Sequence, residues 1–142
     1  MKKILSMMLV LSVAWVTQSM AEEQTDAAEV SEWVEHFLER KRQAIETTVD
    51  FEPGEAESFW PLFDVYAKEI GPVVQELATL LDRYRTESET LSEEDANEII
   101  DALLATNTES IAVQREYVTR VRQVLPAKKV LQVSYIVLTS AP

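Results

Sequence analysis

The sequence predicts an all-α fold: a bent hairpin of long helices, about four in all. One helix-start signature occurs twice, as Phe51-Glu52-Pro53-Gly54-Glu55-Ala56 and Leu91-Ser92-Glu93-Glu94-Asp95-Ala96. Each copy sets an apolar residue before a polar cap, an acid three positions on, and a small residue opening a long amphipathic run. Glu52 and Ser92 can offer side-chain oxygens to first-turn N–H groups, and Glu55 and Asp95 place negative charge at the positive end of the helix dipole. Only two glycines occur in 142 residues, which argues against sandwiches, barrels and phosphate-cradling loops.

The N-terminal stretch reads as an export signal over residues 1–21. Lys2 and Lys3 form a basic head, Ile4 to Val16 is mostly apolar, and Ser19-Met20-Ala21 is a small-x-small cleavage site. The apolar run is shorter than the roughly 20 residues a spanning helix needs, so no stable membrane insertion is expected after cleavage. Residues 22–28 read as a flexible acidic arm, and 139–142 as a tail.

A first helix is expected from about Ala28 to Thr48. Val30, Trp33, Val34, Phe37, Leu38, Lys41 and Ile45 share one stripe at steps of three and four. The second begins at Pro53, where a missing N–H costs nothing. Its seam of Phe59, Phe63, Tyr66, Ile70, Val73, Leu77, Leu80 and Tyr84 keeps phase across Pro61 and Gly71-Pro72. One bent helix is therefore expected rather than two. Arg83 to Thr90 supplies the turn.

The third helix is expected from Glu93 to about Leu125. Its apolar face is Ile99, Ile100, Leu103, Leu104, Ile111, Val118, Val121 and Leu125, interrupted by Thr106-Asn107-Thr108 and Ser110. Pro126 can open a fourth helix. The segment 130–139 is rich in β-branched residues and reads as helix or strand, with helix preferred because no other strand exists to pair with it. Residues 29–138 thus form a single helical domain.

Composition narrows function. Without the signal the chain has 11 bases against 25 acids, a net charge of −14. That disfavours nucleic acid and anionic membranes as partners. With one histidine and no cysteine there is no disulfide, thiolate metal site or nucleophile constellation, and no enzyme activity or cofactor is expected. The one set worth testing for metal is Glu32, His36 and Glu39, at i, i+4 and i+7 on one face. Beside Arg40 and Arg42 it reads more simply as a solvated charged face. Phe37, Phe59, Phe63, Tyr66 and Tyr84 are expected in the core. Trp33 lies on its stripe, as core or interface. Trp60 falls off the strict seam and reads either as an exposed contact with a partner or as packed against the first or last helix.

Phe59-Trp60-Pro61-Leu62-Phe63, Leu91-Ser92-Glu93-Glu94-Asp95 and Val124-Leu125-Pro126-Ala127-Lys128-Lys129, in this order and spacing, resemble the periplasmic LTxxQ-motif family, the Spy/CpxP-like and heavy-metal-resistance sensor group. The resemblance covers residues 29–135. It implies four helices pairing as an antiparallel, cradle-like homodimer. It also implies a periplasmic role in the envelope stress response, as an ATP-independent chaperone or as modulator of a sensor protein. The alternative it offers is a metal-responsive regulator using the first helix. Glu52 and Glu55 stand where that family has Thr and Gln, and the acidic charge contrasts with the basic concave face of its chaperone members.

Overall fold

The computed structural model describes the backbone from Leu11 to Thr139, and side chains from Ala27 onward. Residues 1–10, which include the basic head of the expected export signal, and residues 140–142 lie outside the described residues. Four helices follow one another: α1 Leu11–Thr48, α2 Glu55–Glu87, α3 Glu93–Val121 and α4 Ala127–Thr139. No strand occurs among the described residues, and segment 130–139 is helical. α1 begins well before Ala28 and includes residues 22–28, expected as an arm.

α2 is one helix with Pro61 and Pro72 inside it. Continuity of its buried seam, Phe59, Phe63, Tyr66, Ile70 and Val73, across both prolines explains why neither ends it. The short turn to α3 makes an α2–α3 hairpin. α1 packs on α2 and α4, and α4 packs on α1 and α3, so the helices close a ring around one core. Gly71 sits where α1 crosses, and a Cβ there would meet Val34 Cγ1 at 3.9 Å.

The two helix starts are built differently. Ser92 caps α3: its Oγ accepts the Asp95 N–H at 3.1 Å, and its hydroxyl donates to the Asp95 carboxylate. Arg83 donates to the other Asp95 oxygen at 3.2 Å. Ser92 is the first cause holding the Asp95 carboxyl below the usual carboxylate range. At α2 the expected cap by Glu52 is replaced. Gly54 takes the cap position at φ +89°, a conformation that favours glycine, and makes no side-chain cap bond. Pro53 therefore lies in the preceding turn, not in the helix. Glu55 instead reaches back, accepting the Glu52 N–H at 2.9 Å and the Lys129 ammonium at 2.5 Å. That pair ties the start of α2 to the first turn of α4, and holds the Glu55 carboxyl down and the Lys129 ammonium up.

The core lies where the end of α1, the first half of α2, the end of α3 and all of α4 meet. Ile45, Phe59, Phe63, Tyr66, Tyr117, Val121 and Val133 are essentially solvent-free there. Ring contacts run through Phe51, Phe59, Trp60, Phe63, Tyr66 and Tyr117, the closest being Tyr66–Tyr117 at 4.7 Å. Burial pushes the Tyr66 phenol up to about 12, and raises Tyr117 further, first through burial and then through its neighbour Tyr66.

One expectation for an aromatic residue changes, and Trp60 takes one of its two readings. Tyr84 is 58% exposed, although it keeps the phase of the buried seam. Trp60 is half-buried: Phe51, Phe59 and Phe63 pack its edges, and the Arg42 guanidinium lies 4.8 Å above its ring. Arg42 also pairs with Asp64, which fixes that guanidinium. Trp60 thus joins α1 to α2 rather than projecting into solvent.

Candidate functional site

α3 carries two apolar faces. At 3.6 residues per turn, Ile100, Leu104, Ile111 and Val118 fall within about 40° of one another. Ile99, Thr106, Tyr117 and Val121 lie roughly 100° round the same helix. The second set is buried against α2 and α4. The first is not: Ile100, Leu104 and Ile111 are each at least half exposed. Sequence reading had merged the two faces into one, because Ile99-Ile100 and Leu103-Leu104 supply a member to each. Helical angle was the signal that could have separated them.

The outward stripe continues onto α4. Val118 borders a trough whose other wall includes Leu131 and Leu138. Leu131, Tyr135 and Leu138 follow at i, i+4 and i+7 on the solvent face of α4, the first two about 70% exposed. Opposite them, Val130, Val133, Ile136 and Val137 are buried. An amphipathic helix ordinarily spends its apolar residues on one core-facing stripe. Here α3 and α4 each present a second apolar surface, and the two join. Scattered exposed apolar residues need no explanation, whereas a continuous row is the ordinary mark of a partner surface. Acids border its N-terminal half, with Glu93 in line with the stripe and Asp101 beside Ile100.

The polar interruption of α3 is divided between its faces, with Asn107 and Thr108 exposed. Thr106 is buried and Ser110 half-buried, and both line a hollow of about 250 Å³ against Val73, Val74 and Leu77 of α2. The Thr106 hydroxyl has no hydrogen-bond partner among the described residues. The interruption thus loosens the α2–α3 seam at Thr106 and Ser110, and the exposed Asn107, about 20° from Ile100 around the helix, places one polar residue in the outward row.

A second groove, about 310 Å³, lies between α1, α2, α3 and the end of α4. Trp33, Phe37, Tyr66, Leu77 and Leu81 give it apolar walls. Trp33 stacks on Phe37 at 5.7 Å and remains 38% exposed, so it belongs to the groove lip. At its floor Lys41, only 3% exposed, donates to the Val137 carbonyl at 2.9 Å and to Ile136 at 3.3 Å. These carbonyls belong to the negative end of α4, where a cation is favoured. The ammonium also stands 4.7 Å over the Phe37 ring. Burial lowers its pKa to about 8. Lys41 had appeared in the sequence only as a member of the apolar stripe, and its place in the period was the clue to its burial.

Glu32, His36 and Glu39 are all exposed on α1. Among the described residues no three His, Asp or Glu side chains come together as a group that could hold a metal ion. No helix among them is long and apolar enough to cross a membrane. Comparison of the chain with protein-family models, curated proteins and solved structures finds no match.

Proposed function

We propose that this chain is a periplasmic binding protein of the LTxxQ type, dimeric and without enzymatic activity. It would act in the envelope stress response by holding apolar segments of unfolded proteins or of a sensor partner. The observation that supports this reading is the outward apolar stripe of α3 and α4, bordered by acids along its N-terminal half. Such a surface can dock an exposed apolar segment reversibly without nucleotide, while the surrounding charge keeps the complex in solution. Pairing of two chains would cover part of the same stripe, which is the physical motive for a homodimer. Acidic flanks favour clients with basic residues near their apolar segments, and salt should weaken that preference, because exposed charges are screened over about 8 Å at physiological ionic strength.

The test uses the chain from Glu22 onward. Light scattering follows aggregation of one basic and one acidic denatured client at low and moderate salt. The reading predicts protection of the basic client, fading as salt rises. No protection of either client at several-fold excess contradicts capture of unfolded protein. The mass in solution is measured on the same sample, and a monomer at micromolar concentration contradicts the dimer.

A further inference from the structure

Charge is distributed unevenly along this acidic chain. Residues 22–114 carry 24 acids and six bases, whereas residues 115–139 carry five bases and one acid, Glu116. Two of those five bases are committed within the fold. Arg120 pairs with Glu69 at 3.5 Å and with Glu116 at 3.1 Å, and Lys129 with Glu55. Arg115, Arg122 and Lys128 pair with no carboxylate among the described residues. The bordering acids of α3 give way to cations at the end where α3 meets α4.

That end holds the trough between α3 and α4, about 610 Å³ in volume. This falls within the roughly 300–1,000 Å³ of small-molecule sites. Val118, Leu131 and Leu138 give it apolar walls, and Arg122 and Ser134 also line it. Ser134 is 8% exposed, and its hydroxyl has no hydrogen-bond partner among the described residues. A helical serine ordinarily satisfies itself on the carbonyl one turn back, and leaving it unpaired in a buried place is costly. The trough therefore combines apolar length, a cation without a counter-charge and a hydroxyl without a partner.

We propose that this trough binds an anionic amphiphile, namely an acyl chain with a single carboxylate head. The Arg122 guanidinium pairs with the carboxylate, a match of planar fork to planar head. The carboxylate accepts from the Ser134 hydroxyl as well as from Arg122, being the ligand's only acceptor, and the acyl chain lies along Val118 and Leu138. Charge selects this occupant over a basic peptide, which the local cations repel. The inference does not depend on capture of unfolded clients, since it concerns the basic end of the surface and a ligand of opposite sign.

Calorimetry with sodium laurate below its micelle concentration tests it, against a neutral alkyl maltoside of equal chain length. Laurate should bind one per chain and at least tenfold more tightly than the maltoside. Arg122→Gln should weaken laurate roughly 10- to 100-fold, the span of a lost charge-assisted hydrogen bond, and leave the maltoside unchanged. Ser134→Ala should weaken laurate by a smaller factor without lowering the melting temperature of the free protein. Leu104→Glu, outside the trough, should leave laurate binding unchanged even where it abolishes client protection. Absence of laurate binding, equal binding of the two amphiphiles, or indifference to Arg122→Gln overturns the proposal. Sedimentation with phosphatidylglycerol vesicles in the absence of laurate binding also overturns it, in favour of α4 lying on a lipid surface.

Discussion

The same two helices, α2 and α3, behave differently at their two ends. Where α4 and the end of α1 join them, Phe59, Phe63, Tyr66, Tyr117 and Val121 lose nearly all solvent contact. Toward the hairpin turn, α2 leaves Leu81 and Tyr84 about half exposed, although both follow the phase of its buried seam. Apolar periodicity is equally good in both halves. The lesson is that period decides which face a residue occupies, and the number of neighbouring helices decides whether that face is buried.

The largest expected effect breaks the comparison directly. Phe59→Ala or Phe63→Ala should cost about 3–5 kcal/mol, the usual range for emptying a buried aromatic site. Leu81→Ala should stay within about 1 kcal/mol, since it leaves no closed cavity. Denaturant melts compare the two. Equal losses would mean that the hairpin end is as tightly packed as the core.

Lys41 sharpens the comparison, because it lies where the two regions meet. Its lowered folded-state pKa means the native protein sheds this proton before the unfolded chain does. Between about pH 8 and pH 10.5 the unfolded chain binds more protons, so this group's contribution to stability rises with pH. Below pH 8 both states are protonated and the contribution is flat. At 1.36 kcal/mol per unit the rise reaches up to ~3 kcal/mol. The difference in unfolding free energy between the protein and Lys41→Met, measured from pH 7 to pH 10.5, should show that rise. A flat difference would contradict the effect of burial.

The helix starts offer a smaller contrast. Ser92→Ala should lose about 1 kcal/mol, the ordinary cost of a deleted cap. Glu52→Ala should change stability by less than about 0.5 kcal/mol, because its backbone N–H rather than its carboxylate serves the start of α2. Thermal melts that rank the two the other way would reverse the assignment of caps. Smallest of all is Tyr117→Phe. The Tyr117 hydroxyl is buried without a partner among the described residues, so its removal should be neutral or slightly stabilising instead of costing the usual ~1 kcal/mol.

Much of this architecture was legible in the chain. The α2 seam from Phe59 to Val73 reads directly from steps of four and three, and the Ser92 start reads from residue type. The remainder depends on neighbours that a linear pattern does not reveal. Tyr84 is in phase with the core yet exposed, since phase fixes a face and not what covers it. Trp60 is out of phase yet covered by Phe51 and Arg42, which come from before the helix. Thr106 interrupts an apolar pattern and is still buried, because it faces α2. The outward stripe was hidden for a related reason: adjacent apolar pairs on α3 serve two surfaces, and a single list of them conceals the division. Arg122 and Ser134 gain meaning only when the turn after Val121 folds α4 back along α3.

On the proposed function, the outward face of α3 serves binding while the inward face serves folding. The most direct test compares the double variant Leu104→Glu, Ile111→Glu with the unaltered chain in two assays on one preparation. The double variant should keep a melting temperature close to that of the unaltered protein and lose protection of a basic denatured client. Full protection by a well-folded double variant would contradict this reading, and so would collapse of the fold, which would show that the stripe is already buried in the working protein.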